Sequence, residues 1–279
     1  MKLDELIHAD RSGRGKLEVS GPQAAWFLDQ ILTQRFEGVA PGEPIETAML
    51  TVHGRMTAHA ECIFTPDGAI LCHYEPELRP GFQDELQRYV FATRVELADV
   101  TEGYGLVLLA GPGHETAAAD LGGLAHPTNA LGVPATYVWV DRNSLDGALA
   151  GIAGRRAVEH ELEAMRIANG VPRWGRDMDL KTLPQEVGVD ARAVHFEKGC
   201  YLGQEAMAKI HLRGKVNRKL VRIETGQELA PGTELSDAEG SKAGRVTSAS
   251  GLNALAVVRH TVEPPTVLLA GDVEAKVVA

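Results

Sequence analysis

Residues 196–219 read FEKGCYLGQEAMAKIHLRGKVNRK, and the interpretation of the whole chain rests on this stretch. Gly199 and Gly203 bracket Cys200, and Lys198 stands shortly before the cysteine. Residues 202–209 are mostly strong helix formers, so the sequence predicts a helix from about Leu202 to Lys209. The Lys-Gly-Cys tripeptide is therefore expected at or just before a helix N-terminus.

A cysteine in such a position is predicted to be reactive. Unpaired backbone N–H groups and the positive end of the helix dipole favour an anion there, and Lys198 adds a positive charge. We therefore expect the pKa of the Cys200 thiol to lie below its ordinary value of about 8.5. Such a thiol could be a nucleophile, a metal or cluster ligand or a redox-sensitive group. The alternative is a small buried residue that happens to follow a glycine.

A run of basic residues follows the cysteine in a chain whose formal net charge is −10. Its members are Lys209, His211, Arg213, Lys215, Arg218 and Lys219. The run could bind a polyanion, such as a polyglutamate tail or the phosphate backbone of RNA. It could equally be the solvated surface of a helix–loop junction. Tyr201 is the only aromatic residue in the motif around Cys200, which argues against extended single-strand binding.

Residues 198–205, KGCYLGQE, resemble the signature of the YgfZ-type family of folate-binding proteins. The mitochondrial relatives of that family are iron–sulfur assembly factors, and both are related to aminomethyltransferase, the T-protein of the glycine cleavage system. Residues 213–220, RGKVNRKL, extend the similarity, and chain length and element order let it cover most of the chain. Besides Lys198 and Cys200, the motif residues are Gly199, Tyr201, Gly203, Gln204 and Glu205.

The resemblance implies a function. It implies a folate-binding accessory protein that supports assembly or repair of iron–sulfur clusters and, indirectly, tRNA modification, with Cys200 and Lys198 at its reactive site. Tetrahydrofolate or a one-carbon derivative is the implied cofactor, and iron–sulfur assembly or client proteins are the implied partners. The alternative is a tetrahydrofolate-dependent aminomethyl transferase. No metal site is predicted, because a cluster held by one chain normally needs four ligands.

Composition sets limits on the class of protein. The chain has 279 residues, 44% of them hydrophobic and 24% charged, which is typical of a soluble protein with a sizeable core. The apolar runs are too short to span a bilayer, and the N-terminus MKLDELIHAD has acidic residues where a signal peptide needs an apolar segment. We therefore expect a cytoplasmic protein without a membrane partner. The acidic balance also argues against nucleic acid as a direct ligand.

Residues 47–74 predict a three-stranded meander, with strands over 47–52, 55–64 and 69–74. Thr65-Pro66-Asp67-Gly68 is a turn, since proline presets φ and glycine accepts a positive φ. If Pro66-Asp67-Gly68 forms a three-residue loop with a bulge, Cys62 and Cys72 lie opposite each other. We interpret them as two small side chains on one face of the sheet; a disulfide is the alternative.

The meander lacks a pair of aspartates that the resemblance leads us to expect. In aminomethyltransferase the matching strand bears a catalytic aspartate pair just after its glycine, whereas Ala58 and His59 stand there in this chain. Without those carboxylates, no acidic group stands there to orient the folate ring for aminomethyl transfer. His59 could act as a general base, or it could be a structural histidine on a strand.

The predicted folate contacts follow a helix over residues 155–169 that Gly170 closes. In the family this helix and the Gly-x-Pro after it face the folate channel. Arg173, Trp174 and Arg176 are the residues expected nearest a pterin ring or its glutamate tail, since an aromatic ring stacks and an arginine binds carboxylates. Trp174 could also be a core anchor. Glu186, in a segment that resembles the family's Pro-x-Glu, and the basic residues Arg213 and Lys215 complete the predicted folate contacts.

The remaining pattern predicts an α+β protein. Strands are expected over residues 16–20, 95–100, 104–110 and 136–140, helices over 23–32, 80–90 and 115–121, and a loop over 122–134. After residue 220, β-branched segments over 220–224, 242–248, 255–258 and 266–269 alternate with glycines and predict a small barrel. The resemblance implies an aminomethyltransferase-like fold with three units in a ring.

We expect four regions. Residues 1–45 and 95–195 form a discontinuous α/β folate-binding region, and residues 46–94 form a meander and helix unit interleaved with it. Residues 196–219 carry the signature motif and a basic linker, and residues 220–279 form the C-terminal barrel.

Overall fold

The computed structural model describes residues 3–214 and 216–278, and within them two five-stranded sheets and a closed six-stranded barrel contain all sixteen strands. The strands are β1 (Ile7–Asp10), β2 (Gly15–Ser20), β3 (Pro44–Leu50), β4 (Met56–Phe64), β5 (Ile70–Tyr74), β6 (Glu96–Asp99), β7 (Tyr104–Ala110), β8 (Leu124–Thr128), β9 (Ala135–Asp141), β10 (Arg155–Arg156), β11 (Arg218–Thr225), β12 (Glu234–Ser236), β13 (Lys242–Ser250), β14 (Asn253–Arg259), β15 (Thr266–Ala270) and β16 (Val273–Val278). The α-helices are α1 (Ala24–Ile31), α2 (Phe82–Gln87), α3 (His114–Asp120), α4 (Leu145–Gly151), α5 (Glu159–Ala168), α6 (Asp190–Ala193) and α7 (Gln204–Arg213).

Sheet I has the strand order β3-β4-β5-β2-β6 and contains the predicted meander. Its two faces differ because side chains alternate along a strand. On β4, Ala58 and Cys62 pack into the core that sheet I shares with α1, whereas Ile63 packs into the core of the second sheet. Cys62 pairs directly with Cys72 of β5, as the turn predicted, and both thiols are free and buried.

Sheet II has the order β10-β1-β7-β9-β8 and packs against sheet I. Leu71 of sheet I joins Leu106, Leu108 and Trp139 of sheet II in one buried cluster. Helices α3 and α4 cover the opposite face, where Ala118 and Leu145 meet Val107 and Val138. The two sheets therefore face each other across an apolar layer.

The C-terminal barrel is confirmed and has six strands in the order β11-β14-β13-β12-β15-β16. Strand β11 closes it by pairing with both β14 and β16. Four of its strands overlap the predicted segments, and β12 and β16 complete the ring. An aminomethyltransferase-like α+β protein with a small barrel was the predicted class, and these elements agree with it; the domain boundaries stay a prediction.

Two predicted elements are wrong in part. Residues 122–134 do not form only a loop, because β8 pairs with β9 at the edge of sheet II, where Pro127 is tolerated in an outer strand. The helix predicted over 155–169 begins later, since Arg155–Arg156 form β10 beside β1 and α5 starts at Glu159. It ends as predicted, with Gly170 at φ +77° beyond Asn169.

Within residues 3–214 and 216–278, no helix is long and apolar enough to cross a membrane.

Candidate functional site

The segment around Cys200 lies on the face of sheet I that α1 also covers. Tyr201 and Met207 are buried in that core, and helix α7 begins at Gln204 after Gly203. Gly203 has φ +83°, and a Cβ there would lie 2.5 Å from the backbone oxygen of Thr51. Both observations require glycine. Other residues rarely adopt that φ, and the Thr51 backbone could not easily move away from an added Cβ.

Cys200 is exposed, and it lies in the loop before α7 rather than at the first turn of the helix. The predicted start of this helix was therefore too early: the loop continues to Gly203, which has a left-handed conformation. The exposed position excludes the interpretation of Cys200 as a small buried residue. Its neighbour Gly199 is also exposed, and a Cβ added there would have open space around it to a distance of 4 Å.

Lys198 points into the protein. Its side-chain nitrogen donates to the backbone oxygens of Asp29, Leu32 and Gln34 at 2.6, 2.6 and 2.7 Å, respectively. Burial lowers the pKa of Lys198 to about 8, and the Asp29 carboxylate at 3.9 Å opposes part of that shift. Three donors on three acceptors satisfy the ammonium, so Lys198 ties the cysteine loop to the C-terminal end of α1.

The basic run carries less free charge than the sequence indicates. Lys209 pairs with Glu205 at 2.6 Å, Arg218 with Glu186 at 2.8 Å, and Lys219 with Glu263 at 2.5 Å. The His211 ring stacks on Phe196, with 3.9 Å between centroids. Lys215 lies outside the described residues, and of Arg213 only the backbone is described. The described part of the run therefore favours a solvated, ion-paired surface over a polyanion site.

A cleft opens between the two sheets and α5. Its open space is about 690 Å³, including the mouth to solvent. The walls are strongly charged, with residues from β3, β4, the end of β5, α5 and the segment after α5. The apolar part of the lining includes Leu108, Leu131, Tyr137, Leu162, Trp174 and Met178.

Ion pairs that join distant parts of the chain occupy one wall of the cleft. Arg173 donates to Glu75 at 3.0 Å and to Glu163 at 2.8 Å. Glu163 also accepts from Arg166 at 2.7 Å, and Arg14 contacts Glu75. Burial would raise the pKa of Glu163, but Arg166 and Arg173 outweigh it and lower that pKa to about 2. A ligand carboxylate that uses Arg173 must therefore displace a protein carboxylate.

A second group of charges surrounds His59. Its Nε2 lies 3.0 Å from Glu46, and Glu46 also accepts from Arg192 at 2.7 and 3.0 Å. Burial would raise the pKa of Glu46, but hydrogen bonds from His59 and Arg192 lower it to about 2. His59 therefore has a partner that the sequence did not reveal. Ala58 points the other way, into the core of sheet I.

The structure divides the predicted folate contacts between two places. Arg173 and Trp174 line the cleft, although Trp174 is 5% exposed and also packs in the core. Arg176 and Glu186 line a different cavity, between residues 176–187 and the barrel. Glu186 accepts from the backbone N–H of Leu183 at 3.0 Å as well as from Arg218. The cleft and the Cys200 loop lie on opposite faces of sheet I.

Several charged residues of the cleft were not predicted from the sequence, among them Arg11, Arg14, Glu46, Glu61, Glu75 and Arg192. One signal was available for Glu61. On β4, His59 and Glu61 alternate with Ala58, Ala60 and Cys62, which is the pattern of a strand with one polar and one apolar face. The others come from separate parts of the chain, and only the folded chain brings them together.

Comparisons with known proteins agree with the predicted resemblance. Residues 217–278 match the family model described as CAF17, C-terminal beta-barrel domain. A putative chloroplastic transferase of Arabidopsis thaliana is 26% identical over 88% of this chain and 62% of its own length. The tRNA-modifying protein YgfZ of Vibrio vulnificus is 30% identical over 54% of this chain and 50% of its own. A mitochondrial iron–sulfur cluster assembly factor IBA57 homologue of Mycosarcoma maydis is 26% identical, over 80% and 57%, respectively.

The fold comparison points to the same group. Aminomethyltransferase T of the glycine cleavage system from Bartonella henselae superposes with a TM-score of 0.86 at 19% identity. The match covers 99% of this chain and 85% of that protein. The aminomethyltransferase-like fold is thereby confirmed. The chain spans about half to three fifths of the length of the three curated relatives named above.

Proposed function

We propose that this protein is a folate-binding accessory factor that supports assembly or repair of iron–sulfur clusters in the cytoplasm. Cys200 is its reactive thiol, and tetrahydrofolate or a one-carbon derivative occupies the cleft. An effect on tRNA modification would be indirect, through the supply of clusters to modifying enzymes. Relatives named for iron–sulfur assembly and for tRNA modification support this proposal.

One observation carries the proposal: an exposed cysteine stands on a loop that buried contacts hold in place. Lys198 and Tyr201, on either side of Cys200, are both fixed in the interior, while the thiol faces solvent. A thiol in that setting is accessible to a partner protein or cluster without a change of fold. Cys62 and Cys72 are buried and offer no such access.

Folate binding is tested by titrating the purified protein with tetrahydrofolate in a calorimeter. Saturable binding is expected. Trp174→Leu should weaken it if the cleft is the site, and Arg176→Ala should weaken it if the cavity beside the barrel is the site. Thermal melts of both variants separate loss of binding from loss of fold. Absence of binding to the intact wild-type protein would contradict the folate part of the proposal.

The role of Cys200 is tested in cells that lack the protein. Cys200→Ser should fail to restore the activity of iron–sulfur enzymes, and Cys62→Ala, a buried position on sheet I, serves as the matched control. Full rescue by Cys200→Ser would contradict the role given to the thiol.

A tetrahydrofolate-dependent aminomethyl transferase is the second candidate, and the fold favours it. The local chemistry opposes it, since Ala58 is buried in the core and His59 is engaged with Glu46. Measurement of one-carbon transfer to tetrahydrofolate by the same sample distinguishes the two. Turnover would favour the transferase, and binding without turnover would favour the accessory factor.

A further inference from the structure

Two histidines and a glutamate meet in the layer between the two sheets. Glu61 on β4 and His73 on β5 are paired across sheet I, whereas His126 lies on β8 of sheet II. One ligand atom from each lies within 4.8 Å of the others. His73 and His126 are 0% and 1% exposed, and the Nε2 atoms of both lack a hydrogen-bond partner among the described residues. Buried polar atoms are costly to leave unpaired, so these two nitrogens call for a ligand.

The opposite nitrogen of each ring determines what its Nε2 atom can bind. His126 Nδ1 lies 3.2 Å from the backbone oxygen of Pro127 and must donate to it, so His126 Nε2 carries a lone pair. Arg14 donates from Nε to His73 Nδ1 at 3.0 Å, so His73 carries its proton on Nε2. Burial lowers the pKa of both rings, that of His126 to about 4, so both are neutral near pH 7.

Glu61 differs from the other carboxyl groups that line the cleft. Glu46, Glu75 and Glu163 are each bound by arginine. Within residues 3–214 and 216–278, no lysine or arginine forms an ion pair with Glu61; the Thr128 hydroxyl donates to it, and Arg14 acts on it from a distance. Burial raises the pKa of Glu61. A cation bound at its carboxylate would offset that loss of solvation.

We propose that Glu61 and His126 bind one divalent transition-metal ion, through the carboxylate and Nε2, and that His73 donates its Nε2–H to a water on that ion. An imidazole and a carboxylate without a thiolate suit Zn²⁺ or Fe²⁺ better than a softer ion. Such an ion holds its ligands about 2 Å away, so two ligand atoms lie roughly 3 to 4 Å apart. Small rotations of the two side chains would reach that spacing. The site goes beyond the proposed folate and cluster functions and does not depend on either.

The contacts around the two proposed ligands are those that metal sites use. A histidine ligand usually donates its second ring nitrogen to a carbonyl or a carboxylate, which fixes the tautomer and the orientation of the ring. His126 does so to Pro127. The Thr128 hydroxyl holds Glu61 in the same way. Both ligand atoms are therefore oriented before an ion arrives.

His73 serves the ion through water because of Arg14. As a direct ligand, His73 would need a lone pair on Nε2 and a proton on Nδ1, where Arg14 already points an N–H group. Arg14 is also a cation close to the site, which opposes a second positive charge. Its guanidinium contacts Glu75, and that carboxylate compensates the charge.

The proposed ion would join the two sheets, since Glu61 belongs to sheet I and His126 to sheet II. A ligand that binds only the folded protein stabilises it. Zn²⁺ should therefore raise the melting temperature of the wild-type protein and leave that of His126→Phe unchanged.

The test titrates the purified protein with Co²⁺, whose visible absorption reports coordination, and then displaces it with Zn²⁺. The wild-type protein should bind one equivalent. His126→Phe and Glu61→Gln should abolish this binding, and His73→Phe should weaken it by about ten- to a hundred-fold, as expected when an outer contact is lost. His53→Gln, at an exposed histidine, is the control and should bind like the wild type. Circular dichroism checks that each variant is folded.

A measurement on the unaltered protein decides the matter if a variant fails to fold. Nitrogen NMR of the histidines should show Zn²⁺ shifting His126 Nε2 while His73 keeps its proton on Nε2. Absence of stoichiometric binding to the folded wild-type protein would overturn the proposal. Binding that His126→Phe retains, or that Cys200→Ser abolishes, would also overturn it, because the ion would then be held elsewhere. The tetrahydrofolate titration is independent of each of these results.

Discussion

The side-chain nitrogen of Lys198 donates a hydrogen bond of 2.6 Å to the backbone oxygen of Asp29, which lies in α1. This contact joins the loop that bears Cys200 to a helix that lies far from it in sequence. Because the ammonium also binds Leu32 and Gln34, it fixes where the cysteine loop stands on the protein surface. Lys198 therefore has a structural role besides any part in the reactivity of the thiol.

Lys198→Met should lower the free energy of unfolding by about 2 kcal/mol or more, because three buried carbonyl groups lose their donor. Removal of a desolvated charge offsets part of that cost. Urea denaturation provides the measurement. Lys209→Met, which breaks only the exposed pair with Glu205, is the control and should change stability by less than about 0.5 kcal/mol. Equal stability of the two variants would show that the three carbonyls find other partners.

Gly203→Ala should destabilise the protein by about 2 kcal/mol or more, since the added Cβ would meet the Thr51 oxygen at 2.5 Å and φ is +83°. Gly199→Ala is the matched control in the same motif: it has open space around it and should be tolerated. Thermal melts of both variants test the difference. Two similar melting temperatures would contradict the role of Gly203 in docking α7.

Alkylation should distinguish Cys200 from the other two cysteines. Iodoacetamide should modify one thiol of the native protein, at Cys200, and all three after denaturation, because Cys62 and Cys72 are buried. Intact-mass measurement gives the number of adducts and peptide mapping gives the position. Rapid labelling of Cys72 in the native state would mean that sheet I opens readily. Cys200→Ser should leave the unfolding free energy within about 0.5 kcal/mol of the wild type.

Stability should fall in acid as Glu163 becomes protonated. Its pKa is about 2 in the folded protein and 4.5 ordinarily, so the folded state binds fewer protons between those values. The ion pairs with Arg166 and Arg173 therefore contribute fully above about pH 4.5, and the contribution is lost as pH falls towards 2. Glu163→Gln should be less stable at pH 7 by up to about 3 kcal/mol and should show a flatter loss between pH 4.5 and 2. The unfolding free energy of both proteins is measured by urea denaturation across this pH range. An equal dependence on pH in the two proteins would refute the prediction.

Local signals in the sequence predicted much of the fold. The turn at Pro66-Asp67-Gly68 placed Cys62 opposite Cys72 because a turn fixes the register of its own hairpin. Strand β8 was missed because Pro127 and its polar neighbours resemble a loop, and only pairing with β9 makes the segment a strand. The pair Arg155–Arg156 was assigned to a helix for a similar reason, since its partner β1 is far away in sequence.

The candidate site was predictable only where its residues lie close together in the sequence. The motif around Cys200 marked an exposed cysteine loop, but the partners of Lys198 lie in and just after α1 and could not be inferred from residues 196–219. The cleft depends even more on distant contacts. Arg173 was predicted to bind a ligand carboxylate, yet it binds Glu75 and Glu163, because the packing of sheet I on α5 brings those three together.

Asp177 connects the cleft to the barrel. One of its carboxylate oxygens accepts from Arg166 at 2.7 Å, and the other accepts from Ser248 of β13 at 2.8 Å. A ligand that drew Arg173 away from Glu163 would change the charge around Arg166, whose other carboxylate partner, Asp177, binds Ser248 of the barrel. Coupling of this kind is reciprocal, so a molecule that bound the barrel and changed these contacts would change ligand affinity in the cleft by the same factor.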